Sequence, residues 1–127
     1  MLDASVAVTA LTAPGSAAAD LLSGDDAAFQ APSIFDAEVL SALRGLVRGG
    51  KFDGAAAAEL IPDLMVLPVD RWHLSPLLPR MWELRENLTP YDAAYVALAE
   101  LTGAVLVTGD ERNTASPGAR CDIQVIK

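Results

Sequence analysis

The sequence has little cysteine and histidine, and each shortage excludes a kind of site. Cys121 is the single cysteine and His73 the single histidine in 127 residues. One cysteine cannot close an internal disulfide, which is typical of proteins from a reducing compartment. One cysteine and one histidine also cannot form the usual tetrahedral zinc site. His73 has no nucleophile signature around it, so we interpret it as a surface or helix-start residue.

Positive charge is also scarce. Nine lysine and arginine residues stand against 17 acidic residues, which gives a net charge of −8. Proteins that track along nucleic acid normally show a broad basic surface, so this balance argues against extensive backbone contact. A local basic rim around a phosphate-binding metal site is still compatible with it. The densest basic cluster, Arg44, Arg48 and Lys51, is also explained as a helix C-terminus, where cations are favourable.

Long hydrophobic runs are missing as well. The longest uncharged run, Ala4 to Ala19, is broken by Pro14 and falls short of the ~20 residues that span a membrane. The chain opens with Met-Leu-Asp and lacks the basic start of a signal peptide. We therefore expect a cytoplasmic protein. Its length and its 52% hydrophobic content predict one folded domain over residues 1–127.

Residues 88–114 form the most informative stretch. The apolar segment from Pro90 to Leu101 predicts a buried helix, with Thr89 as its N-cap. Gly103 ends this helix, and the run from Ala104 to Thr108 predicts a strand that is covered on both faces. The stretch therefore predicts a helix, a turn and a strand.

One carboxylate lies at each end of this unit, and each has a structural explanation. Asp92 follows Thr89 by three residues, which is the spacing of a capping box. Its helix face is otherwise apolar, where an uncompensated carboxylate is costly. Asp110 follows the strand and is explained equally well as a turn residue or N-cap. A functional role for either depends on other carboxylates reaching the same place.

The remaining chain alternates helices with short strands, which predicts an α/β fold with a parallel sheet and helices on both faces. The predicted helices start at Ser5, Pro14, Pro32, Asp53, Ser75 and Pro90, and those from Asp53 and Ser75 end at Pro62 and Glu86. The predicted strands are Met1–Asp3, Ala27–Ala31, Leu64–Val69, Ala104–Thr108 and Asp122–Ile126.

Glu38 is a further carboxylate on an apolar or small-residue helix face. Ser33 and Asp36 have the spacing of a capping box, which explains Asp36 and leaves Glu38 without a structural role. Ligands bind parallel sheets at the carboxyl ends of strands, near the point where strand order reverses. Asp3 and Asp110 end two predicted strands, so we expect them to meet at this edge. The topology opens Glu38 and Asp92 toward the same edge.

Four segments follow one another in a specific order along the chain: Leu2–Ser5, Ala31–Gly45, Trp82–Glu100 and Leu106–Arg112. Each is a weak motif alone. Together, over essentially the whole chain, they resemble a PIN domain, and specifically the VapC-type toxins of bacterial toxin–antitoxin pairs. The resemblance implies a three-layer α/β/α domain with a parallel five-stranded sheet.

The resemblance also implies a quartet of acidic residues that hold Mg²⁺ or Mn²⁺. In this sequence the quartet is Asp3, Glu38, Asp92 and Asp110. Ser5 and Thr108 match small polar residues of the family and are expected to hydrogen-bond the carboxylates or metal-bound water. Asn113 stands where the family sometimes has a further acid, and would act through water. The family normally has several apolar residues before the first acid, and here only Met1 and Leu2 precede Asp3, so either the first strand is short or the true start lies upstream.

Elementary electrostatics supports a metal at such a cluster. Two carboxylates ~4 Å apart repel by about 4 kcal/mol at an effective dielectric near 20. A divalent cation removes this conflict, and all-oxygen ligation selects a hard metal. We expect Asp3, Asp92 and Asp110 to be direct or water-mediated ligands. Glu38, a fourth ligand, is also the best candidate to orient or deprotonate the attacking water.

The resemblance implies a metal-dependent endoribonuclease toxin that hydrolyses RNA phosphodiesters and inhibits translation or growth. The expected partners are an RNA substrate (tRNA, rRNA or mRNA), a cognate VapB-like antitoxin and a second copy of the chain. Arg112, Arg44 and Arg48 are candidate RNA contacts. The apolar helix surface that favours a dimer consists of Leu77, Leu78, Met81 and Trp82.

Two other functions remain open at this point. One is a catalytically weak PIN-like binding module whose acids serve only as caps. The other is a haloacid-dehalogenase-like phosphatase, because Thr108-Gly-Asp110 faintly resembles the acidic motif of that class. Such a phosphatase needs an Asp-x-Asp after the first strand, and here Ser5 stands two residues after Asp3.

Overall fold

The structure is a computed structural model that describes residues 1–112 and 117–127. Pairs of helices are separated by short strands along the chain, in the order that the sequence pattern predicts. The helices are α1 (Ala4–Thr12), α2 (Ala17–Leu22), α3 (Phe35–Arg48), α4 (Gly54–Met65), α5 (Leu78–Glu83) and α6 (Pro90–Thr102), with a 3₁₀ turn at Ser75–Leu77. The strands are β1 (Phe29–Pro32), β2 (Val69–Trp72), β3 (Leu106–Thr108) and β4 (Ile123–Val125).

The described strands pair in parallel, β1 with β2 and β3 with β4. The start of the chain lies between these two pairs. The Leu2 N–H donates to Gln30 O, and the Asp3 N–H donates to Val107 O, both at 2.9 Å. Leu2 also forms a parallel bridge to Val107. The α/β class is therefore confirmed, whereas a continuous five-stranded sheet stays a prediction.

The helices pack in two groups. Helix α1 packs on α2, α3 and α4 and contacts β3, while α6 packs on α5 and contacts β1 and β3. Residues Ala93–Ala99 of α6 are all buried, as predicted from its apolar composition. Leu98 joins Leu2, Phe35 and Leu106 among the fully buried side chains. Burial of this apolar surface is the main force that holds the helices against the strands.

The predicted ends of α6 agree with the structure. Thr89 is the N-cap, and its hydroxyl accepts a hydrogen bond from the Asp92 N–H at 3.2 Å. Gly103 follows the helix in the left-handed region, with φ of 69°. This conformation costs glycine little because it has no Cβ.

The predicted strand at Leu64–Val69 is wrong. Helix α4 continues through Pro62 to Met65, and β2 starts only at Val69. The last turn of α4 buries Leu64 and leaves Met65 exposed, so the apolar run belongs partly to a helix. A short apolar run has no periodicity that distinguishes a strand from a helix. The proline removes one N–H donor without ending the helix.

Two predicted helix starts also need correction. Asp3, not Ser5, is the N-cap residue of α1. Helix α3 starts after Ile34, and the predicted capping box with Asp36 is wrong. The Asp36 carboxylate instead accepts hydrogen bonds from Arg71 Nε at 3.2 Å and Nη2 at 2.9 Å. The Asp36 carboxylate, which the local spacing predicts to cap the helix, therefore pairs with Arg71 on β2 instead.

The predicted helix from Ser75 to Glu86 is divided. It starts as the 3₁₀ turn and ends as an α-helix at Glu83. Pro79 has no N–H to donate to the carbonyl of Ser75, which favours the tighter first turn. Trp72 and Trp82, which the sequence suggests as core or interface residues, are exposed in this chain, and the Arg85 guanidinium lies 4.6 Å over the Trp82 ring.

Two sequence expectations about the surface can be compared with the structure. His73 is exposed, as expected. No helix in the two described ranges is long and apolar enough to cross a membrane. Within the apolar surface proposed for dimerisation, Leu77 is buried, whereas Leu78 is 52% exposed.

An ion pair connects α5 and α6 to the C-terminal part of the chain. Arg80 donates from Nε to Glu100 Oε2 at 2.7 Å and from Nη2 to Oε1 at 3.1 Å. It also donates to Gly118 O at 2.7 Å, and the Arg120 N–H donates to Glu100 Oε1 at 2.7 Å. Burial raises the pKa of Glu100, but the hydrogen bonds from Arg80 and Arg120 outweigh it and lower the pKa.

We predict that Glu100→Gln lowers the free energy of unfolding at pH 7 by about 1–2 kcal/mol, because a charge-assisted bidentate contact is lost. The lowered pKa of Glu100 fixes the pH dependence. The contribution is present above the usual pKa of 4.5 and is lost as pH falls through the lowered pKa. Urea denaturation from pH 7 to pH 3 should therefore show the difference between variant and wild type shrinking.

Glu83→Gln is the matched control, because Glu83 also pairs with Arg80 but is 62% exposed. We expect a change within about 0.5 kcal/mol, as for other exposed ion pairs. Equal effects of the two substitutions would show that the Glu100 contact has no special structural role.

Candidate functional site

Asp3 lies where the first chain segment meets α1, and two hydroxyl groups hold its carboxylate. Ser5 Oγ donates to Asp3 Oδ2 at 2.6 Å, and Thr108 Oγ1 donates to the same oxygen at 2.8 Å. Both hydroxyls also accept a backbone N–H, Ser5 from Gly109 at 2.9 Å and Thr108 from Asp110 at 3.1 Å. The turn after β3 is therefore fixed to the start of α1 through Asp3.

Asp110 lies in the turn after β3 and is held by Arg112. Arg112 Nη2 donates to Asp110 Oδ2 at 2.7 Å and Nε donates to Oδ1 at 3.0 Å, while the Arg112 N–H donates to Oδ1 at 2.9 Å. These hydrogen bonds lower the pKa of Asp110. The Arg112 side chain is 91% exposed. An exposed ion pair of this kind contributes little free energy, so a competing anion or cation can replace either partner.

Glu38 lies in the first turn of α3 and is half-buried. Burial raises its pKa, and the charges of Asp3 and Asp92 raise it further, while the hydroxyl of Tyr95 lowers it. Its Oε1 atom is buried and has no hydrogen-bond partner among the described residues. Glu38 is thus a carboxylate whose ionised form the surrounding protein disfavours.

Asp92 lies in the first turn of α6, where the residue as a whole is exposed. Partial loss of hydration raises the pKa of its carboxyl, and the charges of Asp3 and Asp110 raise it further. Thr89 and Arg112 act in the opposite direction. The capping position alone therefore does not describe Asp92, because the charges of two acids from distant parts of the chain also raise its pKa.

The structure brings the four predicted acids into one electrostatic cluster. The charge of Asp3 raises the pKa values of both Glu38 and Asp92. The charge of Asp92 raises the pKa of Glu38, and the charge of Asp110 raises the pKa of Asp92. In their present orientations, no three acidic, histidine or cysteine side chains of residues 1–112 and 117–127 are placed to share one metal ion. Asp110 faces Arg112 instead. The donor atoms are all carboxylate oxygens, which suit a hard divalent cation.

Comparison with known proteins identifies the family. The PIN domain family model matches residues 1–115. This chain belongs to the PIN domain family. Ribonuclease VapC1 of Mycobacterium tuberculosis is 38% identical over 130 residues, which cover 100% of this chain and 97% of that protein. Ribonuclease VapC12 of the same organism is 39% identical over 128 residues, covering 99% and 98% of the two chains.

A solved structure agrees with this assignment. The crystal structure of PAE2754 from Pyrobaculum aerophilum superposes on this PIN domain with a TM-score of 0.70 and 26% sequence identity. The superposition covers 98% of this chain and 81% of the other. The resemblance to VapC-type PIN domains is therefore confirmed over nearly the full length of the chain.

The predicted basic residues of the PIN domain differ in their distance from the acids. Arg112 contacts Asp110 directly. Arg44 and Arg48 are exposed on α3, six and ten residues beyond Glu38. At ~1.5 Å per residue, their backbones lie about 9 and 15 Å further along the helix. The predicted supporting residue Asn113 lies outside the described residues.

Sequence reasoning missed Tyr95. This residue is 3% exposed on α6, and its hydroxyl lies close enough to Glu38 to change the pKa of that carboxyl. The available signal was a phenol three residues after Asp92, in a segment otherwise made of alanine, valine and leucine. A buried tyrosine hydroxyl usually requires a hydrogen-bond partner.

We predict that Thr108→Val lowers the free energy of unfolding by about 1–3 kcal/mol, because Asp3 loses one of its two hydroxyl donors and the Asp110 N–H loses its acceptor. Valine keeps the shape of threonine but cannot donate to Asp3 or accept from the Asp110 N–H. Urea denaturation at pH 7 measures the change.

Thr102→Val is the matched control, because the Thr102 hydroxyl donates within its own helix, to Leu98 O at 2.9 Å. We expect a change of less than about 0.5 kcal/mol for this local contact. If both substitutions have equally small effects, the hydroxyl pair on Asp3 does not stabilise the turn after β3.

Proposed function

We propose that this PIN domain is a divalent-metal-dependent endoribonuclease and the toxin of a toxin–antitoxin pair. One observation carries the proposal: four carboxylates from α3, α6 and two chain segments at strand ends act on one another in one cluster. They are Asp3, Glu38, Asp92 and Asp110. The names of the relatives, Ribonuclease VapC1 and Ribonuclease VapC12, support the reaction type.

The cluster fits Mg²⁺ or Mn²⁺ on electrostatic grounds. Burial raises the pKa values of Glu38 and Asp92, and the charges of neighbouring acids raise them further; a divalent cation would neutralise this negative charge. The buried Glu38 Oε1 is an acceptor without a partner among the described residues. We propose that Asp3, Asp92 and Asp110 hold the ion, directly or through water. Asp110 would then exchange Arg112 for the metal.

The proposed reaction is hydrolysis of an RNA phosphodiester. Water attacks phosphorus, the bond from phosphorus to the 3′ oxygen breaks, and the products carry a 5′-phosphate and a 3′-hydroxyl. When bound, the divalent ion supplies charge neutralisation at the phosphate and acidifies coordinated water. Glu38 would accept the proton of the attacking water. Its raised pKa favours this role, because a general base works best with a pKa near the operating pH.

An open groove beside Asp110 offers space for the RNA. It encloses about 560 Å³ and is lined by Ser5, Thr9, Gly109 and Arg112, among others. We propose that Arg112 contacts a phosphate once Asp110 binds metal. Arg44 and Arg48 lie further away on α3 and are proposed as weaker contacts.

Assembly forms the remaining part of the proposal. A VapB-like antitoxin would restrain the nuclease, and a second copy of the chain would pack on the exposed surface that includes Leu78 and Trp82. We also propose that the two strand pairs and the Met1–Asp3 segment form one five-stranded sheet between two helix layers. The hydrogen bonds of Leu2 and Asp3 to both pairs support this arrangement.

We predict that the purified protein cuts total cellular RNA into discrete fragments with Mg²⁺ or Mn²⁺ and not with EDTA. Glu38→Gln should lower the rate by about 10²–10⁴-fold, the usual contribution of a positioned general base. Asp92→Asn should lose activity through weaker metal binding. Asp70→Asn, an exposed acid on β2, is the matched control and should cut like the wild type.

The outcome that favours a binding module is also defined. If folded protein free of antitoxin cuts no RNA with either metal, the acidic cluster does not catalyse RNA hydrolysis, and the binding-module function is favoured. Equal cutting by Glu38→Gln, Asp92→Asn and Asp70→Asn would locate the active site elsewhere.

We predict that Mg²⁺ raises the Tm of the wild-type protein. At about 100 times the Kd, a ligand specific to the folded state stabilises it by ~2.7 kcal/mol. NaCl at equal ionic strength is the control, because screening alone also weakens repulsion among exposed acids. The Mg²⁺-dependent shift should be smaller in Asp92→Asn than in Asp70→Asn, and equal shifts would contradict the proposed ligand set.

A further inference from the structure

Two buried side-chain atoms of the described residues lack a hydrogen-bond partner. They are Glu38 Oε1 and the Tyr95 hydroxyl oxygen. Both belong to side chains at the acidic cluster, and no other buried side-chain nitrogen or oxygen in the described ranges shares this condition. Buried polar groups are normally paired in folded proteins, so two unpaired groups at one place require a physical explanation.

The two groups are chemically complementary, both are buried without a partner, and each acts on the pKa of the other. A tyrosine hydroxyl can donate one hydrogen bond, and an ionised carboxylate can only accept. The Tyr95 hydroxyl lowers the pKa of Glu38, as a neighbouring donor does, and burial and the Glu38 carboxylate raise the pKa of Tyr95. The backbone N–H of Ala4, at the start of α1, also acts on the Tyr95 oxygen.

Tyr95 therefore connects three elements of the site. It lies on α6 one turn after Asp92, reaches Glu38 on α3, and approaches the start of α1 next to Asp3. Tyr95 is only 3% exposed, whereas Asp92 is exposed. A side chain this deeply buried cannot contact RNA, so it can act only through its neighbours, and Glu38 is the neighbour whose side chain can accept a hydrogen bond from the hydroxyl.

We propose that Tyr95 is a positioning residue, whose hydroxyl donates to Glu38 and fixes the carboxylate for proton transfer. The inference rests on the proposed function, because Glu38 is assigned as a general base only there. Without the hydroxyl, Glu38 keeps its place on α3, but its carboxylate samples several orientations. The turnover rate then falls, while binding of RNA at the surface stays the same.

The test compares Tyr95→Phe with Tyr91→Phe. Both remove one hydroxyl from α6, but Tyr91 is 59% exposed. With Mg²⁺ and total cellular RNA at varied concentration, Tyr95→Phe should lower kcat by about 10-fold, the rate equivalent of one lost hydrogen bond. The apparent KM should change less than twofold, and Tyr91→Phe should leave both parameters unchanged. A normal kcat in folded Tyr95→Phe overturns the proposal.

A double variant separates positioning from simple packing. In the Glu38→Gln background, Tyr95→Phe should lower kcat by less than twofold, because the hydroxyl acts through the missing carboxylate. A further 10-fold loss there would show that Tyr95 acts independently of Glu38 and would overturn the proposal. If Glu38→Gln itself cuts like wild type, the assignment of the general base has failed instead.

A readout without catalysis uses the metal-free protein. The Tm changes of Glu38→Gln and Tyr95→Phe should not add in the double variant, because the two groups contact each other. Additive changes would show that the groups do not interact and would overturn the proposal, whatever the rates are. A large Tm loss in Tyr95→Phe with normal kcat well below the Tm would show a purely structural tyrosine.

Discussion

The hydrogen bonds that hold Met1–Asp3 between the two strand pairs are the constraint on which the site depends. The Asp3 N–H donates to Val107 O at 2.9 Å and the Val107 N–H donates to Met1 O at 2.8 Å, while Leu2 is bonded to Gln30. Leu2 is fully buried at this junction. Because the pairing is parallel, the segment delivers Asp3 to the edge at which β3 delivers Asp110. The α1 helix starts at the same point, so Asp3 serves as its N-cap residue and as a member of the acidic cluster.

The protein treats its acidic residues in two different ways. Away from the site, Asp36 and Glu100 are each paired with an arginine that also bonds backbone carbonyl groups. At the site, Asp110 alone of the described acids pairs with an arginine, Arg112, whereas Asp3 is held by neutral hydroxyls and Glu38 and Asp92 have raised pKa values. Such carboxylates cost folding free energy at neutral pH, since their charged forms are favoured in the unfolded chain. Strain of this kind is typical of functional sites, where a ligand removes it.

Sequence patterns predicted the parts of this protein that local chemistry determines. Thr89 and Gly103 fix the ends of α6 through backbone hydrogen bonds and φ, and both act within a few residues of their own positions. The strand at Leu64–Val69 failed because a short apolar run carries no periodicity and Pro62 is tolerated inside α4. The family resemblance supplied the four acids, and their spacing alone did not show that they meet. The orientation of Asp110 toward Arg112 depends on side-chain geometry, which no sequence pattern encodes.

Asp36 and Glu38 show why local patterns are insufficient for this site. The two acids lie in the same first turn of α3, and the capping-box spacing singles out Asp36. In the fold, Arg71, which lies 35 residues away in sequence, binds Asp36, while the pKa of Glu38 is affected by the buried phenol of Tyr95 and by two other acids. The partners of both acids are determined by which strand or helix packs against α3. Glu38 therefore stands out because it is half-buried near two other acids and its buried Oε1 has no partner among the described residues, an arrangement that becomes visible only in three dimensions.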